Sequence, residues 1–289
     1  MCGLCGYFII NGRHTASSKR CVRQFVSMDA RGGDAVGWIA AYQGSLEEPT
    51  KYTGRVCQDV KDAIRESVRG CTCLVGHTRM ATHGDSSYNN DHPHEYENDS
   101  VYGAVTHNGV IQSHELTAKE NTLDLIGDCD SEVLARLIES YEPDLALESR
   151  VADAINACND TSNIAVAVVE DGNDGVCLVL ACRGNPVCYS TKKGILYYAS
   201  TKESLGKGAL SLNEGSMLVV NNDGVEVVRG MLNRLSYFSG LANWQSYRPF
   251  KLDPPTDKDD QCGIRREGKW EAFDSYQQKW HYNRKGGST

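Results

Sequence analysis

A cysteine stands at position 2, directly after Met1. A small side chain at this position generally permits removal of the initiator methionine, which would make Cys2 the first residue. The thiol of an N-terminal cysteine is a nucleophile, and its own α-amine, with a pKa of about 7.7–8.0, can accept the thiol proton. Cys2 is therefore a candidate catalytic nucleophile that needs no histidine. The alternative interpretation is a buried apolar cysteine.

Three other polar sites could take part in chemistry. Arg79 lies in a polar segment, and its guanidinium can bind a carboxylate through two hydrogen bonds. Asn108 and Gly109 follow an apolar run, but Asn-Gly is also a common turn pair. Asp130 precedes an amphipathic segment, where an aspartate commonly caps a helix. Taken alone, each of these residues has an ordinary structural interpretation.

The pattern of apolar residues predicts mostly β structure over the first 235 residues. Glycine-containing turn sequences at residues 171–175 and 221–224 supply the positive φ angles of tight hairpins, which favours antiparallel pairing over βαβ units. The predicted strands cover residues 6–10, 36–42, 73–77, 101–107, 164–170, 176–182, 187–190, 196–199, 216–220 and 225–229.

Three segments have apolar residues at helical spacing: residues 18–29, residues 130–141 and, more weakly, residues 145–158. Many short strands combined with a few amphipathic helices predict layers of helices packed on sheets. These elements must bring the polar sites together if the sites act jointly.

Five ordered segments resemble the class II glutamine amidotransferase domain, which is of the N-terminal nucleophile hydrolase type. They are CGLCG at Cys2, RGGDAVG at Arg31, GHTRMATHG at Gly76, THNG at Thr106 and DCDSEV at Asp128. The sequence is most similar to the glutaminase domain of glucosamine-6-phosphate synthase, whose arginine segment reads GHTRWATHG. The resemblance implies an α+β fold, a four-layer αββα sandwich of antiparallel sheets, over residues 2–235.

The resemblance implies hydrolysis of L-glutamine without a cofactor. Cys2 would attack the side-chain amide and release ammonia and glutamate. The side-chain amide of Asn108 and the backbone N–H of Gly109 would stabilise the oxyanion. Such donors typically contribute about 3–4 kcal/mol in the transition state.

The resemblance also implies which residues would bind the amino-acid end of glutamine. Arg79 would bind the carboxylate. Asp130 would bind the ammonium, and one of its oxygens could still cap a helix. Thr82 and His83 would close over the substrate, and Arg31 would order the N-terminal turn.

The sequence departs from the resembling enzymes in two ways. Met80 replaces a tryptophan that helps to gate the passage of ammonia to a second domain, and after about residue 235 there is no room for a synthase domain. We therefore expect a glutaminase that passes ammonia to a separate synthase subunit. The alternatives are a hydrolase of another γ-glutamyl amide and, in a different class, a non-catalytic glutamine-binding regulatory subunit. The polar residues 85–94 are predicted to form a mobile lid.

A metal-binding protein is a rival hypothesis. Five histidines lie within 31 residues, at His77, His83, His92, His94 and His107. Three of them belong to the motifs above, and the sequence has no HExxH motif, so we expect no metal. The 12 cysteines, in a chain with no export signal, are expected to be free thiols in a cytoplasmic protein.

The formal net charge of −8 argues against nucleic acid as a partner, and the absence of a long apolar run excludes a transmembrane helix. Residues 236–289 differ in composition from the rest. They contain three of the four tryptophans and nine Lys and Arg against seven Asp and Glu. We expect this extension to pack its aromatic side chains on the body, or alternatively to dock a partner.

Overall fold

The computed structural model describes residues 2–10, 12, 14–98, 100–172 and 174–235, together with the backbone of residues 263–266 and 269–272. The helices are α1 (Ser18–Asp29), α2 (Gln58–Ser67), α3 (His114–Glu120), α4 (Glu132–Ser140) and α5 (Leu147–Ala157). The strands are β1 (Gly3–Ile9), β2 (Ala35–Tyr42), β3 (Ser45–Leu46), β4 (Thr50–Thr53), β5 (Cys71–Arg79), β6 (His94–Asn98), β7 (Val101–Val110), β8 (Asn163–Gly172), β9 (Gly175–Arg183), β10 (Cys188–Lys192), β11 (Ile195–Ala199), β12 (Leu210–Ser211), β13 (Ser216–Val220), β14 (Val225–Arg229), β15 (Gly263–Arg266) and β16 (Lys269–Ala272).

The strands form two sheets. The first sheet has the order β12-β10-β11-β1-β5-β2-β4-β15-β16, with β3 beside β2, and the second has the order β14-β13-β9-β8-β7-β6. Neighbouring strands pair antiparallel, as the hairpin turns predict. The site segments are carried on β1 and β5 near the middle of the first sheet and on β7, next to the edge strand β6, in the second.

Three apolar layers separate four structural layers. Helices α1 and α2 cover the outer face of the first sheet, the two sheets pack face to face, and α4 and α5 cover the outer face of the second. In β1, Leu4 and Phe8 face the second sheet, whereas Cys5, Tyr7 and Ile9 face the helices. Both faces are buried, so the strands read as near-continuous apolar runs. The predicted αββα sandwich is confirmed.

The sequence located the long elements well. All ten predicted strands and all three predicted helices are present, with boundaries that differ by at most three residues. Two helices, α2 and α3, were not predicted, and neither were the short strands β3, β4, β6, β12, β15 and β16. The amphipathic α2 has buried Val60 and Ile64 as its contact with the core, and α3 spans only seven residues. Such short apolar patterns are weak signals.

The predicted boundary at residue 235 cannot be tested, because residues 236–262, 267–268 and 273–289 lie outside the described residues. The backbone of β15 and β16 forms an antiparallel pair, and Gly263 of β15 lies beside Thr53 of β4. The prediction that the aromatic side chains of this extension pack on the body stays a prediction.

Candidate active site

Cys2 lies directly before β1, which runs between β11 and β5 in the first sheet. Its Sγ accepts a hydrogen bond from the backbone N–H of Met80 at 3.3 Å. Burial raises the pKa of the Cys2 thiol, and the Met80 N–H only partly offsets this effect. The thiol is therefore protonated at neutral pH, and nucleophilic attack would require a base.

Arg31 lies beside the same residue. Its Nε donates a hydrogen bond to the carbonyl oxygen of Cys2 at 3.0 Å. The next residue, Gly32, packs so closely on β5 that an added Cβ would lie 2.5 Å from the carbonyl carbon of Arg79. The absence of a side chain at Gly32 thus allows the turn after α1 to reach the end of β5, and the Arg31 guanidinium holds the chain at Cys2.

Arg79 is the last residue of β5, and its side chain is buried. Its Nη1 donates to Asp91 Oδ1 at 2.9 Å and to the carbonyl of Asp85 at 3.2 Å. Its Nη2 donates to the carbonyls of His83 and Gly84 at 2.6 and 3.0 Å. The fork that the sequence assigns to a substrate carboxylate is thus occupied by the protein's own acidic residue and loop.

The loop around Arg79 is anchored at several points. Asp34 Oδ2 accepts from the backbone N–H of Ala81 at 2.8 Å, and Ser86 Oγ donates to the Asp34 carbonyl at 2.9 Å. Thr82 is exposed, and His83 is partly exposed at the rim. The sequence predicted a polar lid over residues 85–94, but in this structure the second half of that segment, from Asn90, is buried and leads into β6. Its packing comes from tertiary contacts such as the Arg79 ion pair, which no local pattern signals.

Asn108 is buried near the end of β7. Its side-chain Nδ2 lies 3.5 Å from Ser200 Oγ, and Ser200 Oγ accepts from the backbone N–H of Leu4 at 2.9 Å. Asn185 Nδ2 donates to the Asn108 carbonyl at 2.8 Å. Ser200 therefore links the strand that follows Cys2 to the Asn108 amide, although β1 and β7 belong to different sheets.

Gly109 follows Asn108 in β7. A Cβ added there would lie 1.7 Å from the carbonyl oxygen of Asn163 and 2.6 Å from His107 Nε2. Steric exclusion by β8 therefore requires glycine at this position. The motif at Thr106 implies a role for Gly109 in an oxyanion hole, and packing against β8 is a separate constraint on the same residue.

Asp130 is buried before α4. Its Oδ2 accepts from the backbone N–H of Ile111 at 2.7 Å and lies 4.0 Å from His83 Nδ1. The alternative interpretation of Asp130 as the N-cap of this helix is wrong, because the cap residue is Ser131 and the Asp130 carboxylate instead accepts from the Ile111 N–H, just after β7. His83 and Asp130 do lie near each other, on the side of the loop that surrounds Arg79.

Four residues that position the site were not predicted from the sequence: Asp34, Asp91, Asn185 and Ser200. Asp34 belongs to the Arg31 motif, and this could have drawn attention to it. The other three have no local signal, since a serine after a strand or an aspartate in a polar loop is ordinary. Their roles follow from contacts between residues 12 to more than 90 positions apart.

The histidines form part of the same interior. His77 Nε2 lies 2.9 Å from the His107 carbonyl, and His107 Nδ1 lies 2.8 Å from Ser131 Oγ. Within the described residues, one group could hold a metal ion, namely His92, His94 and Cys129. Cys129 did not figure in the sequence-based metal hypothesis, because it lies 35 residues beyond His94 along the chain.

The fold and this site define an enzyme domain of the N-terminal nucleophile hydrolase type. The sequence profile of the class-II glutamine amidotransferases matches residues 11–192. The chain belongs to this family, as the sequence motifs predicted.

Two curated relatives and one solved structure show the range of similarity. The glutamine–fructose-6-phosphate aminotransferase (isomerizing) of Halobacterium salinarum is 33% identical over 270 residues, which is 87% of this chain and 41% of the relative. The enzyme of the same name from Bradyrhizobium diazoefficiens is 31% identical over 208 residues, 69% of this chain and 31% of the relative. The chain thus spans between about a third and about two fifths of these relatives.

The glutamine phosphoribosylpyrophosphate amidotransferase of Bacillus subtilis, solved with ADP and GMP, has the same fold. It superposes with a TM-score of 0.61 at 20% identity, covering 78% of this chain and 49% of the other. None of the helices in the described part of the chain is both long and apolar enough to span a membrane.

Proposed function

We propose that this chain hydrolyses the side-chain amide of L-glutamine, with Cys2 as the nucleophile after removal of Met1. The observation that carries the proposal is the position of the Cys2 thiol. Its sulfur lies against the Met80 N–H, next to Arg79 in sequence, and Arg31 fixes its carbonyl. A reactive sulfur held at the start of a central strand, beside groups suited to an amino acid, fits attack on a γ-amide.

The proton transfers follow from the thiol's protonation. The free α-amine of processed Cys2 takes the thiol proton while sulfur bonds to the amide carbon, and the carbonyl electrons move to oxygen. The C–N bond then breaks, and the ammonium returns the proton to the leaving nitrogen, which departs as ammonia. Water attacks the resulting thioester, its proton passes through the amine to sulfur, and glutamate leaves. With Met1 retained, the nitrogen is an amide and cannot serve as this base.

The oxyanion would be stabilised by the side-chain amide of Asn108 and the backbone N–H of Gly109. Support comes from the burial of Asn108 and from its contact with Ser200, which also binds the strand following Cys2. Donors held before the reaction stabilise developing charge without reorganisation. Ser200 is a positioning residue in this scheme.

Recognition of the amino-acid end requires a local rearrangement. Arg79 would bind the carboxylate and Asp130 the ammonium, with His83 and Thr82 at the rim. Because the Arg79 fork is filled by Asp91 and the carbonyls of the loop, the substrate carboxylate must displace part of that loop. Binding would then exchange internal hydrogen bonds of Arg79 for bonds to substrate.

The ammonia acceptor is proposed to lie on a separate synthase. The relatives are named as aminotransferases. The chemistry of the described site ends at glutamate and ammonia. A hydrolase acting on another γ-glutamyl amide would use the same residues and is distinguished by substrate choice.

The test is labelling with a diazo-ketone analogue of glutamine, followed by intact mass spectrometry and a coupled assay for glutamate. We expect loss of Met1, a single adduct on the wild-type protein, no adduct on Cys2→Ala, and glutamate release only by the wild type. Cys57→Ala is the matched control, because Cys57 is also a half-buried free thiol.

A processed protein that forms no adduct and releases no glutamate would overturn the assignment of glutamine. A Cys2→Ala protein that is as active as the wild type would overturn the assignment of the nucleophile.

A further inference from the structure

Two histidines and a cysteine meet in the interior beside the proposed substrate site. One ring nitrogen each of His92 and His94 and the sulfur of Cys129 all lie within 4.8 Å of one another, and all three residues are buried. His92 and His94 flank a proline at the start of β6, whereas Cys129 precedes α4. Tertiary folding therefore assembles this group from two segments.

The ring nitrogens of these histidines are unusual in lacking partners. Among the described residues, no hydrogen-bond partner is found for either ring nitrogen of His92 or for Nε2 of His94. Buried polar atoms are nearly always paired, and an unpaired one costs about 1–3 kcal/mol. The neighbouring His77, whose ring centroid lies 4.0 Å from that of His92, differs because its Nε2 is engaged with the His107 carbonyl.

We propose that His92, His94 and Cys129 form a zinc site. Two imidazoles and a thiolate are the donor set that zinc prefers, whereas magnesium and calcium prefer oxygen ligands. Zinc binds nitrogen at about 2.0–2.1 Å and sulfur at about 2.3 Å, so ligand atoms within 4.8 Å converge on one ion after small side-chain rotations. The ion would give a partner to one nitrogen of each ring.

A cavity lined by several charged side chains reaches one member of this group, His94. This cavity of about 470 Å³ is lined by His94 together with exposed Asn89 and Tyr88. Its wall carries five carboxylates and two basic side chains, at Glu48, Glu95, Glu97, Glu132, Glu139, Lys51 and Arg136. The excess of carboxylates attracts a divalent cation, and the cavity can supply a water as the fourth ligand.

The proposed ion would connect both halves of the glutamine site. His92 directly follows Asp91, the partner of Arg79, and Cys129 directly precedes Asp130. A bound ion would therefore fasten the segment after the Arg79 loop to the start of α4. The zinc site does not depend on the proposed glutaminase activity, and its readout is binding.

The experiment is a zinc titration of the full chain in competition with a chromophoric chelator. The chain carries Cys2→Ala, which removes the half-buried thiol of the proposed glutamine site. We expect one equivalent of Zn²⁺ to bind. Loss of a second-shell group typically weakens zinc binding about 10–100-fold, so removal of a direct ligand in Cys129→Ser or His94→Gln should weaken it by at least about 100-fold. Cys57→Ser, at a half-buried thiol outside the group, should bind as the parent does.

Cobalt supplies a second readout, which is measured first in the parent protein and then in variants whose folding is verified by circular dichroism. Co²⁺ bound to the parent should give a sulfur-to-metal charge-transfer band in the near ultraviolet, and Cys129→Ser should lose it. Absence of this band in the parent would overturn the proposal. So would zinc that binds equally well to folded Cys129→Ser, which would mean adventitious binding elsewhere.

Discussion

The guanidinium of Arg79 and the carboxylate of Asp91 form an ion pair across 12 residues of sequence, with Nη1 2.9 Å from Oδ1. The two side chains are only 3% and 4% exposed. Burial raises the pKa of Asp91 to about 6, although the nearby Arg79 opposes this effect. Asp91 and the backbone carbonyls of residues 83–85 bind the Arg79 guanidinium, which the motif assigns to the substrate carboxylate.

Asp91→Asn should lower the free energy of unfolding but strengthen the binding of glutamine. Removing one partner of a buried ion pair leaves an uncompensated charge, so the free energy of unfolding should fall by about 3 kcal/mol. The KM for glutamine should fall severalfold, because the substrate carboxylate no longer competes with Asp91 for Arg79. Denaturant melts and steady-state kinetics measure the two effects in metal-free buffer.

Asp85→Asn is the matched control for that variant. Asp85 is exposed, and it is its backbone carbonyl that accepts from Arg79. The control should change neither quantity appreciably. An unchanged or raised KM in Asp91→Asn would mean that Asp91 does not compete with the substrate.

Asn108→Ala should lower kcat by about 10²–10³-fold, with KM changed little, because an oxyanion donor acts mainly in the transition state. Initial rates of glutamate formation at saturating and limiting glutamine measure this difference. A rise in KM with kcat unchanged would instead assign Asn108 to ground-state binding.

Ser200→Ala should give a smaller loss of kcat, about tenfold, because Ser200 acts through the Asn108 amide and the Leu4 N–H. The effect should vanish in the Asn108→Ala background, where the amide that Ser200 positions is absent. Ser204→Ala, at a nearby half-buried serine that binds a local carbonyl, should retain full activity. Equal losses in both backgrounds would indicate a structural role alone.

Gly109→Ala should destabilise the protein by about 3 kcal/mol or more, because the added methyl would overlap the Asn163 carbonyl across β7 and β8. Gly224 is a matched control: it has φ of +157°, against +159° at Gly109, but a Cβ there meets nothing within 4 Å. Gly224→Ala should cost only the backbone strain at this φ, about 1–3 kcal/mol, and so less than Gly109→Ala, which adds the clash. Thermal and urea unfolding measure the loss of unfolding free energy in both variants. Equal losses would show that the strained backbone conformation, and not the clash with Asn163, causes the destabilisation.

Acidification should destabilise the metal-free protein through His107. Burial lowers the pKa of this histidine from 6.5, with nearby Asp130 opposing the shift and His77 also adjacent. Below pH 6.5 this histidine binds a proton in the unfolded chain but not in the folded chain. Its contribution to the free energy of unfolding is therefore fully present above pH 6.5 and declines as the pH falls. Between pH 7.5 and 5.5 this one group contributes up to about 1.4 kcal/mol of the loss.

His107→Gln should reduce the slope of unfolding free energy against pH, as measured by urea melts across that range. His14→Gln, at an exposed histidine, should leave the slope unchanged. An identical slope in His107→Gln and wild type would show that other groups account for the acid sensitivity.

The local sequence pattern predicted the long strands and helices but not the short ones. The apolar runs of β1 and β8 predict strands, and the hairpin glycines predict antiparallel pairing because they supply the positive φ angles of tight turns. The five motifs identified the family and its αββα architecture. Short elements such as α3 and β6 escaped detection, since few residues carry their periodicity.

By itself, the sequence determined the family, the layer architecture and the identity of the candidate nucleophile, because these depend on residue types and their order along the chain. Tertiary structure alone decided that Asp91 occupies the Arg79 fork, that Asp130 binds Ile111 instead of capping α4, and that Ser200 bridges the two sheets. It also brought Cys129 to His92 and His94. Each of these pairings depends on which buried polar atoms need a partner once distant segments meet, and no local pattern specifies that choice.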